Sequence, residues 1–143
     1  GFGLTETLVA VFLTAVISSA FFLGITQTKL YLDSIRIKQT AFRELSNWTN
    51  QWKGLVAAGV ESFPSDPSGE PVVLKQDSQG NTTLQGKMYK RITKANESGN
   101  LSTYYNVDTY IIWNKKRFFL STAIENQMDT IRFNTYQVRF NTK

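Results

Sequence analysis

The stretch that decides the fold is the first one, GFGLTETLVAVFLTAVISSAFFLGITQ at residues 1–27. From Phe2 to Ile25 it carries a single charged residue, Glu6. A helix over these positions, at about 1.5 Å per residue, would be roughly 36 Å long and would exceed the hydrocarbon core of a bilayer, which is about 30 Å thick. The stretch therefore predicts a helix that lies in a membrane or in an equally apolar assembly.

Glu6 is out of place in such a segment, because a carboxylate at the centre of a membrane costs about 2.5–3.5 kcal/mol on insertion scales. It falls in the first helical turn, where the helix dipole favours a negative charge. Two interpretations are open at this point. Either the carboxylate pairs with a cation, such as the free amino terminus of a neighbouring copy, or it lies at the level of the lipid headgroups without a partner.

Beyond Gln27 the apolar pattern becomes amphipathic. Apolar residues recur at spacings of three, four and seven, which is the helical period, at Leu32, Ile35, Phe42, Leu45, Trp48, Trp52 and Leu55. No proline interrupts this pattern, and Gly54 is the predicted end of the helix. A helix from residue 2 to residue 53 would be about 80 Å long and would need neighbours along its whole length. We expect copies or a membrane around the first half and the chain's own head against the second.

All three prolines fall in Ser62–Pro71, which predicts an exposed connecting loop. After this loop the period changes to two, and β-forming residues dominate Val72–Leu74, Thr82–Lys94, Leu101–Trp113, Arg117–Ile124 and Thr130–Phe140. We predict an α+β fold in which a long N-terminal α-helix packs by its C-terminal half on a small antiparallel β-sheet head. The predicted parts are an apolar helical segment, its amphipathic continuation, a Pro-rich connecting loop and a β-rich head, at residues 1–28, 29–54, 55–71 and 72–143.

The composition excludes several classes of function. The chain of 143 residues has no His and no Cys, which removes the usual zinc sites, thiol nucleophiles, disulfides and His-based acid–base pairs. The sequence contains no P-loop, GxGxxG, HExxH or GxSxG motif, and its acidic residues are scattered. We therefore expect a protein that is not an enzyme, that needs no cofactor or metal, and that is held together by packing or by assembly with its own copies.

The chain is basic, with a net charge of +5, and its positive residues are concentrated in the C-terminal part. Tyrosines and a tryptophan are interleaved with them. A candidate patch for anionic ligands comprises Lys87, Lys90, Arg91, Lys115, Lys116 and Arg117. Such a surface attracts DNA or anionic glycans in a salt-dependent way. The alternative is a solvated face that keeps a β-rich head in solution.

The order Gly1-Phe2-Gly3-Leu4-Thr5-Glu6, followed by an apolar helix, resembles the processing site and N-terminal helix of type IV pilins and type II secretion pseudopilins. In that family a prepilin peptidase cuts after a glycine, the new N-terminal phenylalanine is N-methylated, and a glutamate stands five residues after the cut. The resemblance covers residues 1–55. It implies a cut between Gly1 and Phe2, methylation of Phe2, and a role in assembly for Glu6.

The resemblance implies a structural subunit of an extracellular type IV pilus filament, a helical homo-oligomer, that is held in the inner membrane before assembly. Its partners would be the prepilin peptidase and the inner-membrane assembly machinery, and its roles would be adhesion, motility or DNA uptake. A minor pilin and a secretion pseudopilin remain alternatives, as does a membrane-anchored periplasmic binding domain. The sequence departs from the family in having no proline near Leu23, where Gly24 is the strongest helix-weakening residue.

Overall fold

The computed structural model describes residues 3–64, 66–98, 102–114 and 127–140, with the backbone alone at 96–98. One helix is followed by four strands, namely α1 (Leu4–Ala57), β1 (Glu70–Gln76), β2 (Thr82–Ser98), β3 (Ser102–Asn114) and β4 (Met128–Phe140). The strands form one antiparallel sheet in the order β1-β2-β3-β4. The predicted α+β fold, with the long helix packed by its C-terminal half on an antiparallel head, is confirmed.

Helix α1 runs without a break over 54 residues, which corresponds to about 80 Å. It ends at Ala57 and not at the predicted Gly54, which keeps helical geometry. Gly59 has a φ of 93°, in the left-handed region where a side chain is disfavoured. Two backbone bonds close the last turn, from Gly59 N–H to Val56 O at 3.1 Å and from Val60 N–H to Leu55 O at 3.2 Å. This Schellman arrangement requires its glycine just past the helix, and it explains why the helix ends there.

The core lies between the second half of α1 and one face of the sheet. Its buried residues come from both layers, at Ile37, Ala41, Leu45, Trp48, Leu74, Met88, Ile111 and Trp113. The predicted apolar stripe is correct at Leu45 and Trp48. It is wrong at Leu32 and Phe42, whose exposed fractions are 48% and 54%.

The side of α1 that is buried against the sheet includes Ile37 and Ala41, which are not part of the predicted stripe. Ala41 is completely buried. A stripe of large apolar residues does not tell which of its sides meets the sheet, and a small residue such as alanine allows the closest approach. As a result, Phe42 lies at the rim, where its ring meets Phe133 of β4 edge-on at a centroid distance of 5.2 Å.

Polar side chains also tie the second half of α1 to the sheet. The pairs that cross the interface include Asp33 with Lys75, Lys38 with Asp129 at 3.9 Å, Trp48 Nε1 with Glu70 at 2.8 Å, and Thr49 with Thr109 at 2.7 Å. The earliest of them along the helix involves Asp33. These ties therefore hold the head to the second half of the helix and fix the angle between the two layers.

The strands extend beyond their predicted cores in most cases. The predicted loop includes Pro71, whereas the structure places this residue in β1, paired with Lys87. A proline is tolerated there because β1 is an edge strand of the described sheet, with β2 as its one neighbour there. The predicted strand Arg117–Ile124 lies outside the described residues. The neighbours of β3 are β2 and β4, and β4 accompanies β3 over its whole length.

Candidate functional site

The first half of α1 is bare in the isolated chain. Its large apolar side chains are exposed at Leu4, Leu8, Val9, Val11, Phe12, Leu13, Val16, Ile17, Phe21, Phe22, Leu23 and Ile25. In the described part of the chain, α1 is the one helix that is long and apolar enough to cross a membrane, and no residue of its most apolar window is buried. Since burial of one such side chain contributes about 1.5–3 kcal/mol, this surface strongly favours an apolar environment.

Most hydroxyl groups in this half do not oppose burial, because they bond within the helix. Four of them donate to the carbonyl one turn earlier, from Thr14 to Ala10 at 2.8 Å, Ser19 to Ala15 at 2.8 Å, Thr26 to Phe22 at 2.9 Å, and Thr28 to Gly24 at 2.9 Å. Beyond the first turn, the backbone groups are likewise bonded within the helix. The segment can therefore enter lipid or a protein core without leaving these donors unpaired.

Glu6 lies in the first turn of α1 and is bonded locally. Its Oε2 accepts a hydrogen bond from the Gly3 backbone N–H at 2.9 Å. The carboxylate thus bends back to the start of the helix and satisfies one of the N–H groups that every helix start leaves free. Gly1 and Phe2, the predicted processing and methylation positions, lie outside the described residues. The pairing of Glu6 with an amino terminus stays a prediction.

The sheet separates the members of the candidate anionic-ligand patch. Lys87 and Arg91 are exposed on the face of β2 that points away from α1. Lys90 points the other way, because successive side chains of a strand alternate between faces. Its Nζ lies 4.0 Å from the centroid of the Trp52 ring. The remaining predicted members, Lys115, Lys116 and Arg117, lie outside the part of the chain that the structure describes.

Lys90 belongs to an aromatic cluster that fixes the connecting loop. Trp52 meets Trp48 edge-on at 6.0 Å and Phe63 at 6.4 Å, and Phe63 meets Tyr105 at 6.1 Å. The ammonium group over the Trp52 ring adds a cation–π interaction. Lys90 is thus placed to stabilise the head. Sequence reasoning missed this contact because the tryptophans belong to a different element, far away along the chain.

The outer face of the sheet carries a shallow basin of about 760 Å³. Tyr89 and Tyr110 stack across β2 and β3 with a centroid distance of 5.0 Å. Beside them Arg132 donates from Nε to Asp108 at 2.7 Å and from Nη2 as well, and this pairing raises the pKa of Arg132. Arg91 also lines the basin, and none of the ion pairs between described residues includes it. Within the described ranges, the Arg91 guanidinium is therefore not neutralised by a carboxylate, and the binding of an anion to it stays a prediction.

Comparison of this chain with family models, with curated proteins and with solved structures found no match. Within the described ranges, no group of three or more acidic side chains lies close enough together to hold a metal ion. The functional interpretation therefore rests on the sequence and on the geometry of α1 and its head.

Proposed function

We propose that this chain is a structural subunit of an extracellular filament of the type IV pilus class. Copies of the chain assemble by packing the first halves of their α1 helices together. The observation that carries the proposal is a single unbroken helix, half held by the head and half bare and apolar. A bundle of such halves supplies the apolar environment that each needs once it has left the membrane.

In this proposal the same surface has two successive environments. Before assembly the first half of α1 spans the inner membrane, where lipid covers it. Close packing of helices in an apolar medium relies on small residues, and this half contains Ala10, Ala15, Ser18, Ala20 and Gly24. The exchange of lipid for helices of other copies then proceeds without exposing the apolar surface to water.

Glu6 selects the assembled state. Its carboxylate lies at the N-terminal end of α1, which is where processing before Phe2 would create a free amino group. An unpaired carboxylate in an apolar surrounding costs several kcal/mol. Pairing with the amino group of its own or a neighbouring subunit removes this penalty, so that correctly placed subunits are favoured over misplaced ones.

Two substitutions separate the charge of Glu6 from its local hydrogen bond. Glu6→Gln keeps an oxygen that can accept the Gly3 N–H bond but carries no charge, whereas Glu6→Leu loses both. With the unaltered chain, sheared cell-surface material should contain filaments in electron microscopy, and mass spectrometry should find methylated Phe2. We expect both variants to lose filaments while the head stays folded by circular dichroism.

The outcomes distinguish the alternatives. Filaments of Glu6→Gln at the normal rate would mean that Glu6 acts by capping the helix and not by charge pairing. If the unaltered chain is recovered as dispersed membrane-bound molecules with an unprocessed leader, the filament proposal is wrong, and a membrane-anchored periplasmic binding domain takes its place. The abundance of the chain in sheared material separates a major pilin from a minor pilin or a pseudopilin.

A further inference from the structure

A second apolar surface lies on α1 beyond the reach of a membrane. A span of about 30 Å uses about 20 residues, so a span that starts at Leu4 ends near Gly24. Tyr31, Leu32 and Phe42 lie further along the helix, and all three side chains are exposed. Lipid cannot cover them when the first half is embedded. Large apolar side chains that neither the head nor the membrane covers mark a surface for another protein.

Of these side chains, Phe42 lines an open groove of about 440 Å³ at the corner between α1 and β4. Ile35 and Phe42 form one wall, and Ile131 of β4 forms the other. Lys38, which also lines the groove, lies 3.9 Å from the Asp129 carboxylate, so that its charge is compensated. The groove is therefore apolar and electrically neutral, and it suits an apolar occupant.

The groove is in line with one side of the bare half of α1. Alternating steps of four and three residues lead from the membrane half to the groove through Ala10, Thr14, Ile17, Phe21, Gly24, Thr28, Tyr31, Ile35, Lys38 and Phe42. We call this line the seam. Such heptad spacing keeps one side of a helix facing a partner helix over many turns.

Gly24 supports an external role for the seam. A Cβ atom at this position would meet nothing within 4 Å, so the chain's own packing does not require a glycine. A glycine inside a helix costs about 1 kcal/mol relative to alanine. The open space at Gly24 allows a neighbouring helix to approach closely.

We infer that the seam is the docking surface for α1 of a second copy, and that the apolar half of that neighbouring helix fills the groove beside Phe42. This inference rests on the proposed filament function and deepens it by naming the contact face. A second copy has the required chemistry, because its first half is helical, apolar and free of charge apart from Glu6. It is also long enough to follow the seam from the membrane half into the groove.

Engineered cysteines test the seam in assembled material, since the chain contains no cysteine of its own. Copies with Phe42→Cys in the groove are assembled together with copies that carry one cysteine in the apolar half, and the mixture is oxidised. The apolar-half cysteines are placed on the seam and, as matched controls, at the next residue off it, in the pairs Ile17 and Ser18, and Phe21 and Phe22. Phe21 and Phe22 are closely matched, with exposed fractions of 70% and 72%.

We expect at least one seam position to give about tenfold more covalent dimer than its control, because docking raises the effective concentration of the two thiols. Dispersal in detergent before oxidation should remove the difference. Equal yields on and off the seam, in material that contains filaments, would overturn the seam and leave the filament proposal intact. If the unaltered chain forms no assembly, both proposals fall. Ile35→Cys provides a second groove position in case Phe42→Cys lowers assembly.

Discussion

The two halves of α1 form the same regular helix but meet opposite surroundings. In the second half Ala41 and Leu45 are completely buried, because the sheet covers them. In the first half Leu13 and Phe21 are more than half exposed, and nothing in the described chain covers them. The same helical period serves an internal interface in one half, and in the other it leaves an apolar surface exposed.

The polar groups of the two halves follow the same division. In the second half the Thr49 hydroxyl reaches across to Thr109 of the sheet. In the first half the Thr14 hydroxyl turns back to the Ala10 carbonyl of its own helix. A hydroxyl that bonds within its helix remains satisfied in any environment. The contrast indicates that the first half is suited to surroundings that offer no hydrogen-bond partners.

The largest effect is expected from removing the first half altogether. A chain that begins at Lys29 retains the buried part of α1 and every helix–sheet tie, so the head should fold and stay dispersed at high concentration. The full chain, by contrast, should sediment with membranes or filaments. Analytical ultracentrifugation measures both. Sedimentation of the shortened chain as large assemblies would show that the head, and not the bare half of the helix, drives association.

The same substitution placed in each half gives the next largest effect. Leu45→Ala removes a completely buried side chain and should lower the free energy of unfolding of the head by about 3 kcal/mol. Leu13→Ala, in the bare half, should change it by less than about 0.5 kcal/mol. Thermal unfolding of the detergent-solubilised full chain, followed by near-ultraviolet circular dichroism, measures both. Equal losses would mean that the bare half contributes to the stability of the head.

A threonine pair sharpens the comparison at smaller scale. The Thr49 hydroxyl lies 2.6 Å from the Leu45 carbonyl, to which it donates, and it therefore accepts from Thr109 at 2.7 Å. Thr109→Val should cost about 1–2 kcal/mol, because a buried acceptor loses its partner. Thr14→Val is the control and should leave the head unchanged. If Thr109→Val is as stable as the unaltered chain in chemical denaturation, the buried pair does not contribute to the head.

The smallest expected effect is on the acid stability of the head. Hydrogen bonds from the Ser68 hydroxyl and backbone lower the pKa of Asp66 below its ordinary value of 3.8, and bonds from the Asn81 backbone and side chain do the same for the pKa of Asp77. The folded head then binds fewer protons than the unfolded chain, so this stability is present above about pH 4 and is lost as the pH falls through the lowered values.

Melting temperatures between neutral and strongly acidic pH test this effect. The double variant Asp66→Asn, Asp77→Asn should show a flatter acid side of the profile than the unaltered chain. Both carboxylates are in exposed turns, so only a modest shift is expected. An identical profile for the double variant would assign the acid sensitivity of the head to other groups.

Much of the fold could be predicted because the pattern changes sharply along the chain. Apolar residues follow the helical period as far as Leu55, and all three prolines come next. The alternating pattern of strands begins soon after them, so the boundary between helix and sheet is visible in the sequence. The residues of α1 that are buried could not all be predicted, because their burial depends on which side of the helix the sheet approaches. Ala41 is central in the core, yet a small side chain gives little sign of this in a sequence.

The candidate site was predictable to the extent that it is local. The apolar half of α1 and the isolated charge of Glu6 are features of consecutive residues. The contact of Lys90 with the aromatic cluster was not predictable, because it depends on strand alternation and on Trp52 of a distant element. Its neighbours Lys87 and Arg91 have the same charge and lie on the opposite face. A cluster of charged residues along a strand therefore suggests a larger charged patch than either face of the folded sheet carries.

The unbroken course of α1 has a mechanical consequence. With no proline or loop between the head and Leu4, the bare half is a stiff lever of roughly 44 Å, counted from Asp33 at about 1.5 Å per residue. If the angle between the head and α1 changes by one degree, the N-terminal end of the helix moves by about 0.8 Å. A small change in packing at the head therefore becomes a larger displacement at Leu4. Tight packing around Leu45 thus determines how precisely the N-terminal end of α1, which carries Glu6, is positioned relative to the head.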